Sequence, residues 1–292
     1  MKSLSASAAL VTLLLSAASA NAANLSHRYS FNDGTANDSV GSANGTLKNT
    51  ATVSGGLLNL NNPNFTGPGT AGGYLALPAS IIPATGSVTI EQWFTFTGSG
   101  FFTEAWTFSN NNNDTNPPTD VNGQYLMHTI SAPQNGAIAN SGSHIAQATS
   151  GYTTETDAFS TTAGLGAGGG GYLDDGGTYM AATVINGAAG TLSYYIFRVS
   201  DGLGGLQQSV TAIPLSSYSF TNAYLGRSAF PVDNSTSGTV DEFRIYTDAL
   251  TTAQILADFQ AGPNAVPEPA SLALLTLGAA ALLSRRKSTK IP

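Results

Sequence analysis

Carboxylates are the most versatile catalytic side chains in this sequence, and their spacing decides which chemistry they could support. Hydrolysis of a glycosidic bond needs two carboxylates facing each other across a cleft. Glu91 stands alone in its predicted strand. Asp241 and Glu242 are adjacent, so on a strand they would point to opposite faces. Asp174 and Asp175 lie in a glycine-flanked turn, which is a poor platform for a tuned acid–base pair.

Other catalytic residue types are equally sparse. The chain has no cysteine, which excludes disulfides, thiolate metal sites and cysteine nucleophiles. The histidines His27, His128 and His144 have no recognisable catalytic partner, and no Ser-His-Asp motif, phosphate loop or zinc signature is present. We therefore predict that the protein is not an enzyme. A diverged glycoside hydrolase is the alternative, and sugar release that depends on Glu91 would favour it.

The first 22 residues predict a secretory signal peptide. Lys2 supplies a positive start, residues 4–18 are an apolar stretch, and Ala20-Asn21-Ala22 is a small-x-small cleavage site. We expect signal peptidase to cut after Ala22, with Ala20 as the alternative.

The last 27 residues, 266–292, have three parts in a fixed order. Val266-Pro267-Glu268-Pro269 is followed by an apolar run over 270–283 and then by Arg285-Arg286-Lys287. The prolines keep the backbone extended, and the basic cluster would hold the end of the run on the cytoplasmic side of a bilayer. The run is shorter than the roughly 20 residues that a membrane-spanning helix needs. This length favours a transient tail over a permanent anchor.

This order resembles the PEP-CTERM sorting signal of exported bacterial proteins. The resemblance implies removal of the tail by an exosortase, a link with exopolysaccharide and the cell surface, and membrane contact only through the tail. It predicts an exported protein of the envelope, surface or matrix of a Gram-negative-type bacterium, held transiently at the inner membrane before processing. A plain tail anchor is the alternative. The residues of the predicted sorting motif are Val266, Pro267, Glu268, Pro269, Arg285 and Arg286.

Residues 23–265 are strongly acidic. Of the ten Lys and Arg residues only five lie there, against 16 of the 17 Asp and Glu residues, which gives a net charge of −11. Five scattered basic residues cannot form the positive footprint that phosphate backbones require, so nucleic acid is excluded as a partner. A surface rich in Asp and Asn instead suits a hard cation such as calcium, which prefers oxygen ligands.

Short runs of alternating apolar and polar residues, separated by Gly- and Asn-rich turns, predict an all-β fold made of many short strands. In the run from Val88 to Phe96, Glu91 and Trp93 share one face and four apolar residues the other. A second run predicts that Val240 and Glu242 share a face. Thr251 to Gln254 forms a capping box and predicts one short helix to about Phe259. The stretch from 110 to 171 is read as long loops around one or two strands near 125–130.

Several fragments resemble the laminin-G-like, concanavalin A-like lectin/glucanase superfamily. They are Tyr29-Ser30-Phe31-Asn32-Asp33, Asn37-Asp38-Ser39-Val40-Gly41, residues 74–78 and 88–94, and the closing segments 223–227 and 238–246. The resemblance implies a jelly-roll β-sandwich of two antiparallel sheets. We accordingly assign 23–262 to this sandwich, 263–265 to a linker and 266–292 to an apolar helical sorting tail. Members of the superfamily differ widely in function, so function must be argued from the site.

The resemblance also implies one structural calcium ion where the first loop meets the last strand. Asp33 and Asp38 in the loop and Asp241 in the strand are the nearest matches to its ligands, with backbone carbonyls completing the shell. The alternative is that Asp33 and Asp38 cap turns and Asp241 is simply exposed.

A lectin-like site would present aromatic faces and amide or carboxylate groups from loops. The alternative is that Trp106, like Trp93, is a core residue and the Asn-rich loop is solvated. The candidate sugar contacts are Trp106, Asn113, Asp114, Tyr172, Asp174 and Asp175.

The predicted function is non-catalytic binding of extracellular polysaccharide or another matrix component. The alternative is a structural envelope or matrix protein without glycan affinity.

Overall fold

The computed structural model of the chain describes residues 23–62, 72–97, 102–110, 123–131, 142–151, 154–165, 172–230 and 233–265. Leu25–Ala265 forms one compact unit. The described strands and helix are β1 (Leu25–Tyr29), β2 (Thr46–Lys48), β3 (Thr52–Ser54), β4 (Leu57–Leu60), β5 (Tyr74–Leu77), β6 (Val88–Thr97), β7 (Thr103–Ser109), β8 (Tyr125–Ser131), β9 (His144–Ala148), β10 (Thr156–Phe159), β11 (Asp175–Asn186), β12 (Thr191–Arg198), β13 (Gly204–Thr211), β14 (Asn222–Leu225), β15 (Gly238–Tyr246) and α1 (Thr252–Ala261).

The strands form two antiparallel sheets, which confirms the predicted jelly-roll β-sandwich. The first sheet has the order β13-β12-β11-β6-β15-β4-β3, with β1 also paired to β15. The second sheet has the order β10-β9-β8-β7-β14-β5-β2. About half of these pairs join consecutive strands and the others join strands that are not consecutive, so both sheets combine local and long-range pairing.

The two sheets bury a shared core between their inner faces. Ile90, Phe94 and Phe96 of β6 pack there with Trp106 and Phe108 of β7. The predicted alternation of β6 is confirmed, because Glu91 and Trp93 are buried but lie outside this core cluster.

A polar bridge crosses the core between the sheets. His128 Nε2 of β8 lies 2.6 Å from the hydroxyl of Tyr194 on β12, which in turn lies 2.6 Å from Ser143 Oγ. Burial lowers the pKa of His128 to about 3. The sequence shows no partner for His128, because residues 66 positions apart meet only through the folded sandwich.

The alternation predicted for β15 is wrong at its start. The pairing with β6 shifts between Val240 and Glu242, which is the signature of a β-bulge at Asp241. Because the bulge inserts one residue, Val240 enters the core together with Phe243, while Glu242 and Arg244 point to the outer face.

Helix α1 begins as the sequence predicts and ends two residues later than expected, at Ala261. Thr251 is its N-cap, and both hydrogen bonds of the capping box with Gln254 are present. The helix covers the outer face of the first sheet, since Phe259 stacks on Phe197 of β12 and Asp258 lies 3.3 Å from the Tyr246 hydroxyl of β15.

The region from 110 to 171 contains more strand than the sequence suggests. Besides β8 it holds β9 and β10, which extend the second sheet to its edge. His144 of β9 is fully buried, and Gln147 reaches across to the carbonyl of Thr211. These strands are short and polar, so their pattern alone does not distinguish them from loop.

The predicted signal peptide and sorting tail lie outside the described residues. Within the described part of the chain, no helix is long and apolar enough to span a membrane.

Candidate functional site

Asp38 is a structural carboxylate in the loop after β1. Its Oδ1 accepts hydrogen bonds from the backbone amides of Arg28, Val40 and Gly41, and its Oδ2 accepts one from Ala43 and lies 2.6 Å from His27 Nδ1. Burial alone would raise the pKa of Asp38, but these hydrogen bonds lower it below its usual value. A Cβ atom at Gly41 would lie 2.5 Å from Oδ2, so the loop closes this tightly only with glycine there.

The other two predicted calcium ligands have different surroundings. Asp33 is exposed, and its carboxylate accepts hydrogen bonds from the backbone and hydroxyl of Thr35, which lower its pKa. Asp241 is half-buried at the bulge of β15, where burial raises its pKa. Among the described residues, no three His, Cys, Asp or Glu side chains are arranged to hold a metal ion. Asp38 uses both of its carboxylate oxygens for hydrogen bonds, whereas the Asp33 carboxylate accepts hydrogen bonds from Thr35 and is otherwise open to solvent.

Trp106 is a core residue. Its side chain is 1% exposed and packs beside Phe108 and His128. The assignment of Trp106 as a sugar contact is therefore corrected in favour of the core interpretation, because the inner face of β7 leaves no part of the ring for a ligand.

The remaining predicted sugar contacts fall into two groups. Asn113 and Asp114 lie outside the described residues. Tyr172 and Asp174 are partly buried ahead of β11, and Asp175 begins that strand. The Asp175 carboxylate accepts hydrogen bonds from the backbone amide of Gly177 and from the hydroxyl of Tyr179. Asp175 thus stabilises the entry into β11, and its role in binding stays a prediction.

A pocket of about 260 Å³ opens where two loops meet at one end of the sandwich. One loop connects β5 to β6 and contains a 3-10 turn over Ala79–Ile81; the other connects β13 to β14 and contains a 3-10 turn over Leu215–Ser217. The side chains lining it are mostly apolar, with two serines. They are Ala79, Ser80, Ile82, Pro83, Ala84, Leu215, Tyr218, Ser219 and Phe220.

Two aromatic rings form one wall of this pocket. Tyr218 and Phe220 are partly exposed and stacked, with ring centroids 4.6 Å apart and planes 20° from parallel. The Tyr218 hydroxyl is buried without a hydrogen-bond partner, and burial raises its pKa. Phe220 also contacts Phe108, which fixes the wall against the core. Sequence reasoning missed this site, although two aromatics at period-two spacing outside a strand could have indicated it.

An ionic cluster lies beneath α1 on the outer face of the first sheet. Arg244 Nε donates to Glu242 Oε1 at 2.8 Å, and the Arg28 guanidinium donates to both oxygens of the same carboxylate. Glu91 Oε2 lies 3.9 Å from Arg244 Nη1 and 3.4 Å from the Tyr246 hydroxyl. We call Arg28, Glu91, Glu242, Arg244 and Asp258 the first-sheet ionic cluster.

Burial and nearby charges shift the carboxyl groups of this cluster unequally. Burial, reinforced by the charge of Asp258, raises the pKa of Glu91 well above its usual range. Burial also raises the pKa of Glu242, but the hydrogen bonds and charges of the two arginines counteract it. Glu91 is completely buried, so it matches the structural carboxylate that its position beside Trp93 suggests, and a substrate would not reach it.

A second group of carboxylates lies on the second sheet, where Tyr125 packs against Phe230 away from the main core. We call Glu104, Glu155, Asp157 and Asp233 the second-sheet acidic cluster. Tyr125 donates to Glu155, and Ser228 donates to Asp233 at 2.6 Å. The fully buried Glu104 has Asp233 and the Ser228 hydroxyl as polar neighbours.

The groups of the second-sheet acidic cluster raise one another's pKa values. Burial, with the charge of Asp233 next, raises the pKa of Glu104 well above its usual range. Burial and the charge of Glu155 raise the pKa of Asp157 to about 8 and that of Asp233 to about 7. Sequence reasoning missed this cluster because its members come from three separate segments of the chain.

Comparison with known proteins identifies the C-terminal end of the chain. Residues 265–287 match the family model described as the PEP-CTERM protein-sorting motif, which confirms the predicted signal. The match spans all six residues of the predicted sorting motif. It indicates export and a location at the cell surface or envelope. No curated protein matches the chain in sequence.

Solved structures share the fold at low sequence identity. Domain 4 of AbnA, a GH43 extracellular arabinanase from Geobacillus stearothermophilus in complex with arabinotriose, has 18% identity and a TM-score of 0.53, and the match covers 81% of this chain and 98% of that one. Botulinum neurotoxin type C, whose cell entry depends on two ganglioside molecules, has 12% identity and a TM-score of 0.53. The binding domain of botulinum neurotoxin DC, in complex with rat synaptotagmin II, has 12% identity and a TM-score of 0.52.

Each toxin match covers 82% of this chain and 51% of the toxin chain, so the chain spans about half their length. These likenesses bear out the β-sandwich and concern the fold alone. The narrower laminin-G-like assignment stays a prediction.

Proposed function

We propose that this protein is a non-catalytic, exported surface or matrix protein whose β-sandwich binds extracellular polysaccharide. The sorting motif supports export, and the order of the strands in the two sheets supports the sandwich architecture. The sugar-binding part rests on the pocket between the two loops, because the sandwich by itself is compatible with many functions.

The stacked rings of Tyr218 and Phe220 are the observation that carries this proposal. Aromatic faces bind the apolar faces of sugar rings, and a few polar groups around them select orientation. The pocket is lined by these two aromatic side chains together with Ser80 and Ser219. Its volume of about 260 Å³ lies just under the roughly 300–1,000 Å³ of typical small-ligand sites. It therefore suits one or two sugar units of a longer chain.

The experiment is a binding isotherm of residues 23–265 with polysaccharide extracted from the producing cells, measured with calcium and then with chelator. Phe220→Ala removes half of the aromatic wall and should weaken binding about tenfold, which corresponds to roughly 1.4 kcal/mol. Phe259→Ala is the matched control, since Phe259 stacks on Phe197 at the same 4.6 Å centroid distance but does not line the pocket. Its affinity should equal that of the unaltered protein.

Equal losses in both variants would place the binding elsewhere and overturn the assignment of the pocket. The absence of saturable binding under any condition would favour the alternative, a structural protein that only packs against its neighbours in the envelope or matrix.

The proposal includes processing of the tail by an exosortase in a Gram-negative-type envelope, with transient attachment to the inner membrane. Replacing the motif by Glu268→Ala and Pro269→Ala should retain the unprocessed chain in the membrane fraction, while the unaltered protein loses its tail. Identical masses and fractions for both would contradict this step.

Lack of catalysis is also part of the proposal. Incubation with the same polysaccharide should release no reducing sugar. Release that Glu91→Gln abolishes would instead favour the diverged glycoside hydrolase.

A structural calcium ion remains a proposal from the sequence. Asp38 must give up hydrogen bonds to bind a cation, whereas the exposed Asp33 carboxylate keeps lone pairs that a cation can use. A ligand that binds only the folded state raises the melting temperature with its concentration. A melting temperature that is indifferent to calcium and to chelator would end this hypothesis.

A further inference from the structure

The segment that follows α1 is bound to the sandwich up to the residue where the sorting-motif match begins. Arg244 Nη2 donates to the carbonyl oxygens of Pro263 and Ala265, each at 2.6 Å. Arg28 Nη2 donates to the same carbonyl of Pro263 at 3.3 Å, and Asn32 Nδ2 donates to Asn264 Oδ1 at 2.8 Å. The predicted linker 263–265 is thus part of the folded unit, not a free spacer.

Arg244 is the arginine that contacts Ala265, and one of its guanidinium nitrogens makes no hydrogen bond. The Arg244 side chain is completely buried, and its Nη1 has no hydrogen-bond partner. Both guanidinium groups share the single carboxylate of Glu242. Glu91 Oε2 lies 3.9 Å from Nη1, and the guanidinium carbon lies 4.7 Å from the centroid of the Trp93 ring. A buried N–H group that makes no hydrogen bond is costly, and an additional acceptor near Nη1 would reduce that cost.

We propose that Arg28 and Arg244 form a binding site for the α-carboxylate of a chain that ends at Ala265, so that removal of the sorting tail creates the ligand of a site already built into the fold. This inference rests on the tail processing of the proposed function. Hydrolysis breaks the bond between the Ala265 carbonyl carbon and the Val266 nitrogen. Water supplies the second carboxylate oxygen, and its protons leave Val266 with an ammonium group and Ala265 with a carboxylate.

The physical gain comes from replacing a neutral acceptor by a charged one. In the uncut chain, Arg244 donates to the amide carbonyl of Ala265. After the cut the same position carries a carboxylate, and charge-assisted hydrogen bonds are shorter and about twice as strong as neutral ones. The second oxygen adds another acceptor for the guanidinium group, and arginine binds carboxylates through such paired hydrogen bonds.

Two forms of residues 23–265 test this site without any substitution: one ending in the α-carboxylate and one ending in a C-terminal amide. Both contain the complete folded unit and keep the Ala265 carbonyl, and they differ in the terminal charge. We expect the equilibrium constant for unfolding to be about tenfold smaller for the carboxylate form. A chain ending at Pro269, whose carboxylate lies four residues beyond, should behave like the amide.

Arginine variants assign the effect to the site. Arg28→Gln should shrink the difference between carboxylate and amide forms, whereas Arg198→Gln, which alters an exposed pair with Asp201, should leave it unchanged. Equal stability of the two forms, or a difference that survives Arg28→Gln, would overturn the proposal. So would a mature protein from the producing cells whose mass places its C-terminus anywhere other than Ala265.

Polysaccharide binding, measured on both forms, reports on the proposed function separately. The pocket lies on other loops, so glycan affinity should be the same for the carboxylate and the amide. Loss of glycan affinity alone would leave the carboxylate site standing.

Discussion

On the outer face of the first sheet, buried carboxylates lie beside guanidinium groups, whereas on the second sheet the neighbours that shift their pKa values are hydroxyls and other carboxylates. Glu242 is held by Arg28 and Arg244, and α1 covers the pairs. Glu104, by contrast, is fully buried, and its polar neighbours are the Ser228 hydroxyl and the Asp233 carboxyl group. The two faces of one sandwich therefore depend on pH and on substitution in different ways. The stability of the first-sheet ionic cluster depends on its charged pairs. The second-sheet acidic cluster is stable as long as its carboxyl groups remain protonated.

The largest expected effect comes from breaking the arginine pairing. Arg244→Met keeps the volume but leaves Glu242 with one partner and frees the carbonyls of Pro263 and Ala265. Removing one partner of a buried ion pair typically costs 3–5 kcal/mol, so we expect the free energy of unfolding to fall by about that amount in urea titrations. Arg198→Met, at an exposed pair, is the control and should change little. Similar losses in both variants would remove the contrast between buried and exposed pairs.

The second prediction concerns pH and the second-sheet acidic cluster. The folded pKa values of Asp157 and Asp233, about 8 and about 7, lie above the value of 3.8 expected for an unperturbed Asp. The folded state therefore binds more protons, and the stability that these groups contribute is full below about pH 4 and is lost as the pH rises through 7 to 8. His128 and His144, with pKa values lowered to about 3 and about 4, act in the opposite direction below roughly pH 6.5.

The window from pH 6.5 to 8 thus isolates the carboxyl groups. We expect the free energy of unfolding to fall there by roughly 1–3 kcal/mol, given about 1.4 kcal/mol per unit of pKa shift. Asp157→Asn combined with Asp233→Asn should flatten this slope. Asp201→Asn, an exposed carboxyl whose pKa is lowered by Arg198, should leave it intact. A slope that the double variant does not change would mean that the second-sheet acidic cluster does not control it.

The smallest expected effect concerns helix α1, which covers the outer face of the first sheet. Thr251→Ala removes the side-chain acceptor of the capping box and should cost about 1 kcal/mol. If the cover protects the first-sheet ionic cluster, hydrogen exchange should rise in α1 and at Arg244 but not in β8 of the second sheet. Uniform acceleration across both sheets would show that the helix is no separate protective element.

The sequence gives a good account of elements that depend on local pattern. The alternation of β6 and the capping box of α1 follow from residue spacing, and both are present in the structure. The fold class follows from many short strands with turn residues between them. The bulge in β15 escapes such reasoning, because an inserted residue leaves the hydrophobic pattern almost unchanged while it reverses the side chains before it.

The candidate site is much harder to predict from the sequence than the fold is. The aromatic type of Trp106 suggests a sugar contact, yet its ring belongs to the core. Tyr218 and Phe220 were overlooked because they lie in a connection without strand pattern, and their pocket needs the loop over 79–84 as its other wall. The type of a residue can suggest a ligand contact, but the folded sandwich decides whether its side chain is exposed.

The sequence by itself determined the sorting motif, the all-β class, the absence of cysteine and the net negative charge, because each depends on composition or on neighbours along the chain. The tertiary structure alone decided which carboxylates meet an arginine and which meet one another. Arg28 binds Glu242, which lies 214 positions later in the sequence. The charge of Asp233, which precedes β15, raises the pKa of Glu104 in β7. Long-range strand pairing creates these contacts, and burial then sets their strength by removing the water that would otherwise screen the charges.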